Sequence, residues 1–454
     1  MEAAQKNLEE CATALKRISD VSKLVEQDSV FKAFKYANEA MNMQRKRISN
    51  SDMKWYPFQI AFILQEMESI VNKQSQYRET VDLLWFPTGG GKTEAYLGIA
   101  AFVIFYRRIE ELKKGRNDVG VAIIMRYTLR LLSFQQFERA AAMICACEII
   151  RKRDNLGDTA FGIGLWAGGA MTPNKLDAAK KYLESDNRQG EVSPMLLKKC
   201  PWCGAELSES NYHVDIPNAR MHIRCDEDGC YFNGGLPIHL IDEDIYAHKP
   251  SFIIGTLDKF AQLAFNTQAG AILGVDSDNP PELFIQDELH LISGPLGTMA
   301  GLYEAAILKI AEKQGIKPKV IASTATIKNS KNQIMALYGM DCKQFPPQGL
   351  DIDDSFFAKV STMDERPARC YMGVMSSGSA TLTTFTKIMA SLLFASRYLI
   401  DLGYSNEVID SFWTETGYFN TLRELGAAKT RISDSVQDRF EYLVKTKLCL
   451  MKRL

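Results

Sequence analysis

From Trp55 to the late 340s, short apolar runs alternate with longer stretches whose apolar residues recur at helical spacing. The runs VDLLWF, VGVAIIM, AFGIGLW, SFIIG, ELFIQ and KVIAS are five to seven residues long and read as strands buried on both faces. Strands separated by helices make βα units, so the pattern predicts a parallel sheet over residues 55–348. Residues 1–54 read differently. Leu8, Cys11, Leu15, Ile18, Val21, Leu24, Val25, Phe31 and Phe34 fall at helical spacing with no Pro or Gly among the first 50 residues. They predict an appended helical segment that carries no chemistry. Between 193 and 236 the βα rhythm breaks into a polar, cysteine-bearing insertion. The Pro, Gly and Asp residues of FPPQGLDIDDSFF mark a linker over 349–365. A second α/β segment is expected over 366–454, opening with ARCYMGVM and continuing into the long helix TLTTFTKIMASLLFASRYLI.

Length and charge narrow the classes. A chain of 454 residues suggests two to three domains. A formal charge of −1 excludes a broadly basic nucleic-acid coat protein, though not a groove built from backbone amides and a few arginines. No apolar run reaches the length of a membrane helix, and MEAAQKNLEE has no signal-peptide pattern. Ten cysteines are too few for a secreted disulfide scaffold of this size. A cytoplasmic protein is expected, with no membrane partner.

PTGGGKT at 87–93 lies between the apolar run VDLLWF and the helix-like EAYLGIAAFVIFY. A strand, a glycine loop and a helix make a phosphate cradle. The backbone N–H groups of Thr88, Gly89, Gly90 and Gly91 converge on phosphate oxygens, and the helix dipole favours the same anion. Lys92 would reach the β- and γ-phosphates of ATP, and the Thr93 hydroxyl would ligate Mg²⁺. The wider pattern wants a small residue where Phe86 stands. DELH at 287–290 follows ELFIQ. Asp287 at a strand end can hold Mg²⁺ opposite the cradle, and Glu288 can orient and deprotonate an attacking water. Gln59, in WYPFQ, has an amide able to pair with the N6 and N7 edge of adenine. An ordinary exposed helix glutamine is the alternative.

CPWCG and CDEDGC place Cys200, Cys203, Cys225 and Cys230 in two pairs with 21 residues between the inner cysteines. That spacing suits a closed, structural Zn²⁺ ribbon with four thiolate ligands. His213 and His222 lie inside the insertion but are not needed as ligands. The remaining cysteines, Cys145 and Cys147 among them, read as small apolar residues.

PTGGGKT, DELH and STAT, in that order, resemble motifs I, II and III of superfamily 2 helicases. The resemblance implies RecA-like domains with ATP between them and a single nucleic-acid strand across their tops. It implies that Thr324 and Thr326, with His290, link hydrolysis to grip on the strand, and that Gln59 selects adenine. RYTLRLLSFQQF resembles motif Ia and TLDKF motif Ib. Arg126, Thr128, Arg130 and Thr256 are therefore expected at strand phosphates. The longer strings WFPTGGGKTEAYLG, RYTLRLL, CPWCG, DELHLISGPLGT and GYFNTLRELG resemble the helicase subunit of DISARM phage-defence systems. That likeness covers roughly Trp55 to Phe440. The fold class expected is α/β: a RecA-like P-loop sheet with a zinc-ribbon insertion, an N-terminal helical segment and a partial second RecA-like domain. GYFNTLRELG resembles motif IV, and the later motifs have no counterpart in this sequence, so slow ATP turnover is expected. The implied activity is an ATP-driven helicase or translocase core acting on a single strand, taken as DNA, with defence-complex subunits as partners. An ATP-gated DNA-binding or assembly switch is the alternative. A small-metabolite kinase fits badly, because it needs neither STAT nor a cysteine ribbon.

Overall fold

The computed structural model describes residues 2–451 apart from 88, 129, 276, 325–328, 352–354 and 367–368. It describes no side chain at 130–133 or 447–451. Two compact units divide after Val360.

In the first unit the elements run in the order α1 (Glu2–Leu24), α2 (Asp28–Ser49), α3 (Pro57–Val71), β1 (Thr80–Trp85), α4 (Lys92–Lys113), β2 (Ile123–Tyr127) and α5 (Arg130–Arg153). Next come β3 (Ile163–Trp166), α6 (Leu176–Glu184), β4 (Tyr212–Asp215), β5 (Arg220–Ile223), β6 (Ile238–His239), α7 (Asp242–His248), β7 (Phe252–Thr256) and α8 (Leu257–Phe260). The unit closes with β8 (Leu283–Gln286), α9 (Gly294–Ala311), β9 (Lys319–Thr324), α10 (Ser330–Tyr338) and β10 (Asp341–Phe345).

Eight strands form one sheet in the order β10-β1-β9-β8-β2-β7-β3-β6, and every pairing in it is parallel. Helices cover both faces, which is why the strands read as continuous apolar runs rather than alternating ones. All six predicted runs contain strands of this sheet. Five contiguous strands, β1, β9, β8, β2 and β7, end at the same edge of the sheet. Their carboxyl ends carry PTGGGKT, STAT, DELH, RYTLR and TLDKF respectively. Ligand sites in open α/β sheets form at this edge.

The N-terminal helices are not an appendage. Arg17 of α1 is 3% exposed and donates to both carboxylate oxygens of Asp82 on β1, at 2.6 and 2.9 Å. Lys319 of β9 joins the same carboxylate at 2.5 Å, and Glu66 of α3 completes a cluster of four buried charges. Val30, Ala33, Ala37, Ala40 and Met41 of α2 are buried in the same apolar core as α4 and α5. The apolar spacing was read correctly as helix. What it could not convey was the partner, because the residues bound lie far off in sequence, Glu66 49 positions and Asp82 65 positions from Arg17.

Among the described residues of the second unit the regular elements are all helices: α11 (Thr381–Asp401), α12 (Asn406–Asp410), α13 (Leu422–Arg431) and α14 (Gln437–Met451). ARCYMGVM was expected to begin an α/β segment, yet its described residues form no strand, and Tyr371, Met372 and Met375 are highly exposed. An isolated apolar run acquires a strand only when a neighbour supplies the ladder. GYFNTLRELG leads into α13, where Thr421 Oγ1 accepts from Glu424 N–H at 3.2 Å. Phe394 of α11 packs against Phe440 of α14 with ring centroids 6.2 Å apart.

Candidate functional site

The loop after β1 is held from both sides. Gly91 has φ of +90°, and a Cβ there would lie 2.7 Å from Gln59 Nε2. A side chain at Gly90 would meet the Phe86 ring at 2.5 Å, so both positions need glycine for close approach. The residue that departs from the generic pattern now has a reason. The Phe86 ring stacks on Phe58 with centroids 3.8 Å apart and planes 12° from parallel. It thereby fastens the start of α3 to the phosphate loop.

Gln59 strengthens that link. Its Oε1 accepts from Tyr56 N–H at 2.8 Å, and its Nε2 donates to Gly91 O at 2.7 Å. Among the described residues, one N–H and one lone pair of the amide have no partner. The simple picture of an exposed helix glutamine is excluded, since Gln59 is 2% exposed.

Lys92 and Thr93 open α4, and Lys92 Nζ donates to Phe86 O at 2.7 Å. Asp287 and Glu288 follow β8, two strands away across β9. The phosphate loop, Lys92, Thr93, Asp287, Glu288 and Gln59 all line one cleft of about 900 Å³. Asp287 is buried and is fixed by the Ser323 hydroxyl, which donates to its Oδ1. Glu288 sits at φ +49°, unusual for a residue with a side chain, at the start of a 3₁₀ turn over Leu289–Leu291. Burial, and then the neighbouring Asp287 charge, raise the Glu288 carboxyl above its ordinary value, with Lys92 and His290 partly opposing. A carboxylate poised in this way is a better proton acceptor than a free one.

His290 Nδ1 lies 3.2 Å from Thr324 Oγ1 and 3.5 Å from Glu288 Oε2. The turn after β8 and the end of β9 are therefore in direct contact through side chains. Thr88 and Thr326 lie outside the described residues.

The expected phosphate contacts separate. Arg126 is a correction: it is fully buried, ion-paired with Glu304 of α9, and stacked near Phe284 and Phe260 at 5.1 and 5.8 Å. A guanidinium enclosed in this way cannot reach a phosphate on the surface. Thr256 is a second correction, being wholly buried with no hydrogen-bond partner for its hydroxyl among the described residues. In the same TLDKF string, Lys259 is buried on Asp242 at 2.5 Å, so the string builds the core. Thr128 is half-buried, and the Arg130 side chain lies outside what is described.

The four ribbon cysteines converge. Their sulfurs all lie within 4.8 Å of one another, and Cys203 and Cys225 are 3.4 Å apart. Bonds of about 2.3 Å at tetrahedral angles put sulfurs roughly 3.8 Å apart, so this donor set fits one Zn²⁺. The first knuckle turns through Gly204 at φ +82°, with Gly204 N–H donating to Cys200 O at 2.9 Å. The antiparallel hairpin of β4 and β5 lies between the knuckles, and it pairs His213 with His222 outside the thiol cluster.

Sequence reasoning missed several groups. Arg45, Lys54, Glu94, Gln136 and Arg139 all line the cleft. Only Glu94, next to Thr93, carried any positional hint. His239, Asp244 and His248 also cluster, but Arg220 already places its guanidinium 3.1 Å from Asp244 Oδ1.

No family profile matches the chain. It is 37% identical, over 98% of its length, to DISARM protein DrmA of Bacillus paralicheniformis. The chain is a relative of DrmA. It spans about half of that protein, 46% of its length. Among solved structures it is similar to the DUF1998 helicase MrfA bound to DNA and AMPPNP. That match has 12% identity and a TM-score of 0.40, covering 79% of this chain and 34% of that one. It is also similar to the DEAD-box helicase Mss116 bound to single-stranded RNA and UDP-BeF, at 11% identity and a TM-score of 0.39, covering 67% and 42%. Both structural likenesses are distant, and the functional argument rests on the site itself. Among the described residues, no helix is long and apolar enough to cross a membrane.

Proposed function

We propose that this DrmA relative is the ATP-binding and hydrolysing part of a motor that moves on single-stranded DNA. The carrying observation is that Lys92 and Thr93, from one strand end, share a cleft with Asp287 and Glu288, from another. A phosphate cradle facing a buried Asp287 and a half-buried Glu288 matches the needs of phosphoryl transfer to water. Thr93 and Asp287 would hold Mg²⁺, which when bound neutralises charge building on the phosphates. Lys92 would leave Phe86 O for the β- and γ-phosphates. Glu288, with its raised pKa, would take the proton of the attacking water. The free N–H and lone pair of Gln59 would meet an adenine edge, with exposed Tyr56 beside the base.

The contact between His290 and Thr324 supports a motor over a simple ATPase, since it links the catalytic turn to the STAT strand end. Thr128 and Arg130, at the carboxyl edge of the sheet, remain the candidates for strand phosphates, and Thr326 for the linkage. The ribbon cysteines would hold a structural Zn²⁺. A role in phage defence, with other defence proteins as partners in the cytoplasm, is proposed from the likeness to DrmA. ATP hydrolysis by the 454-residue chain, with and without single-stranded DNA, tests the reading. Turnover dependent on Lys92 and raised by DNA supports it. ATP binding without DNA-stimulated turnover would favour the nucleotide-gated switch.

A further inference from the structure

Immediately after Thr93, Glu94 points back over the phosphate loop. Its Oε2 lies 3.5 Å from where a Cβ on Gly91 would stand. A carboxylate beside a loop that receives phosphate repels an incoming triphosphate. It is not left uncompensated. Arg139, on α5, forms an ion pair with Glu94 Oε1, and both side chains line the nucleotide cleft.

Arg139 is fixed in place from the N-terminal segment, because Gln44 of α2 donates to the Arg139 carbonyl at 3.0 Å. The next residue of α2, Arg45, lines the same cleft. Asp52, on the same rim, is paired with Lys46 at 2.9 Å rather than with Arg45. Arg45 itself forms no ion pair among the described residues. Burial, and then the charge of Arg45, lower the Arg139 pKa, so the two guanidiniums feel one another across the cleft. Both arginines line the cleft, and among the described residues Glu94 is the only carboxylate ion-paired with either of them.

We infer that Glu94 is a tethered anion occupying Arg139, and that Arg139 exchanges it for the phosphate chain of the bound nucleotide while Arg45 supplies a second cation. The inference rests on the nucleotide reading of the cleft and adds to it a gate. The N-terminal helices, through Gln44 and Arg45, thereby become part of the nucleotide site. Guanidinium suits the exchange, since its planar fork engages carboxylate and phosphate in the same way.

The sign of one substitution separates a gate from a tether. If the pair merely ties α4 to α5, Glu94→Gln leaves nucleotide binding unchanged or weakens it. If Glu94 competes with phosphate, Glu94→Gln tightens binding. The test is titration of the full chain with a fluorescent ATP analogue and Mg²⁺ at fixed ionic strength. Removing one like charge near the phosphates should tighten binding by about 5- to 20-fold in Glu94→Gln. Arg139→Ala should weaken it by a similar factor, and Arg139→Lys by less. The double variant Glu94→Gln, Arg139→Ala should return to within about threefold of the parent, the gain of one substitution offsetting the loss of the other. High salt should compress all these differences. Weaker or unchanged binding by Glu94→Gln, or a double variant weaker than Arg139→Ala alone, would overturn the inference. Binding by the parent that survives Lys92→Ala would instead overturn the nucleotide reading, and the gate with it.

Discussion

His290 Nδ1 stands 3.2 Å from Thr324 Oγ1, so the turn carrying Glu288 touches the end of the neighbouring strand β9. Glu288 Oε2 lies 3.5 Å from the same imidazole nitrogen. A change in proton or charge at Glu288 therefore reaches β9 through one side chain.

Replacing His290 with Ala, or Thr324 with Val, is expected to preserve ATP binding and DNA-independent hydrolysis within a few-fold. Stimulation by single-stranded DNA should fall by about tenfold, the size of a modest coupling free energy. Steady-state ATPase titrated with DNA measures both quantities. Equal losses with and without DNA would show that the contact serves hydrolysis alone.

Glu288→Gln is expected to bind ATP–Mg²⁺ normally and lower turnover by about 10²- to 10⁴-fold, because an amide accepts no proton from water. Glu288 acts as a base only when ionised, and its pKa is raised. Turnover should therefore rise with pH through a limb lying above the ordinary carboxylate range, and be lost as pH falls through it. A pH–rate profile on parent and variant checks this, and the limb should vanish in Glu288→Gln.

One Zn²⁺ per chain is expected, bound by Cys200, Cys203, Cys225 and Cys230. Elemental analysis and X-ray absorption should report one atom and four sulfur ligands at about 2.3 Å. Cys225→Ser should reduce zinc content and loosen the ribbon locally, seen as faster amide exchange over 193–236. A metal-free, fully folded parent would reject the site.

Arg17→Met removes the cation from beneath two buried carboxylates, Asp82 and Glu66. Leaving a buried charge short of its partner costs about 3–5 kcal/mol. Denaturant unfolding of the first unit should show a loss of that order. Adding Asp82→Asn should recover part of it, as expected for residues in one network.

The strands, and the glycine loop between β1 and α4, were legible because they depend on local pattern. VDLLWF is apolar at every position but one, and a glycine loop ending in Lys-Thr has few other uses. DELH was legible for the same reason, as a carboxylate pair directly after an apolar run. The four-cysteine cluster was legible because four thiols at fixed spacing constrain one another. Arg126 was misread because charge in a sequence says nothing of depth. Glu304, 178 residues later, is what allows a guanidinium to be buried there. Thr256 was misread in the same way, its small hydroxyl being equally at home in a core or at a surface.

By itself the sequence determined the βα order, the loop that would cradle phosphate, the Asp-Glu pair and the cysteine set, since each is written in neighbouring residues. The tertiary structure alone decided that β9 separates β1 from β8, bringing Lys92 opposite Glu288. It also decided that Arg17 reaches Asp82, and that Arg45 and Arg139 enter the cleft beside Glu94. The physical reason is common to all three. Strand order and helix docking are set by which apolar faces exclude water together, and those faces come from segments far apart in the chain.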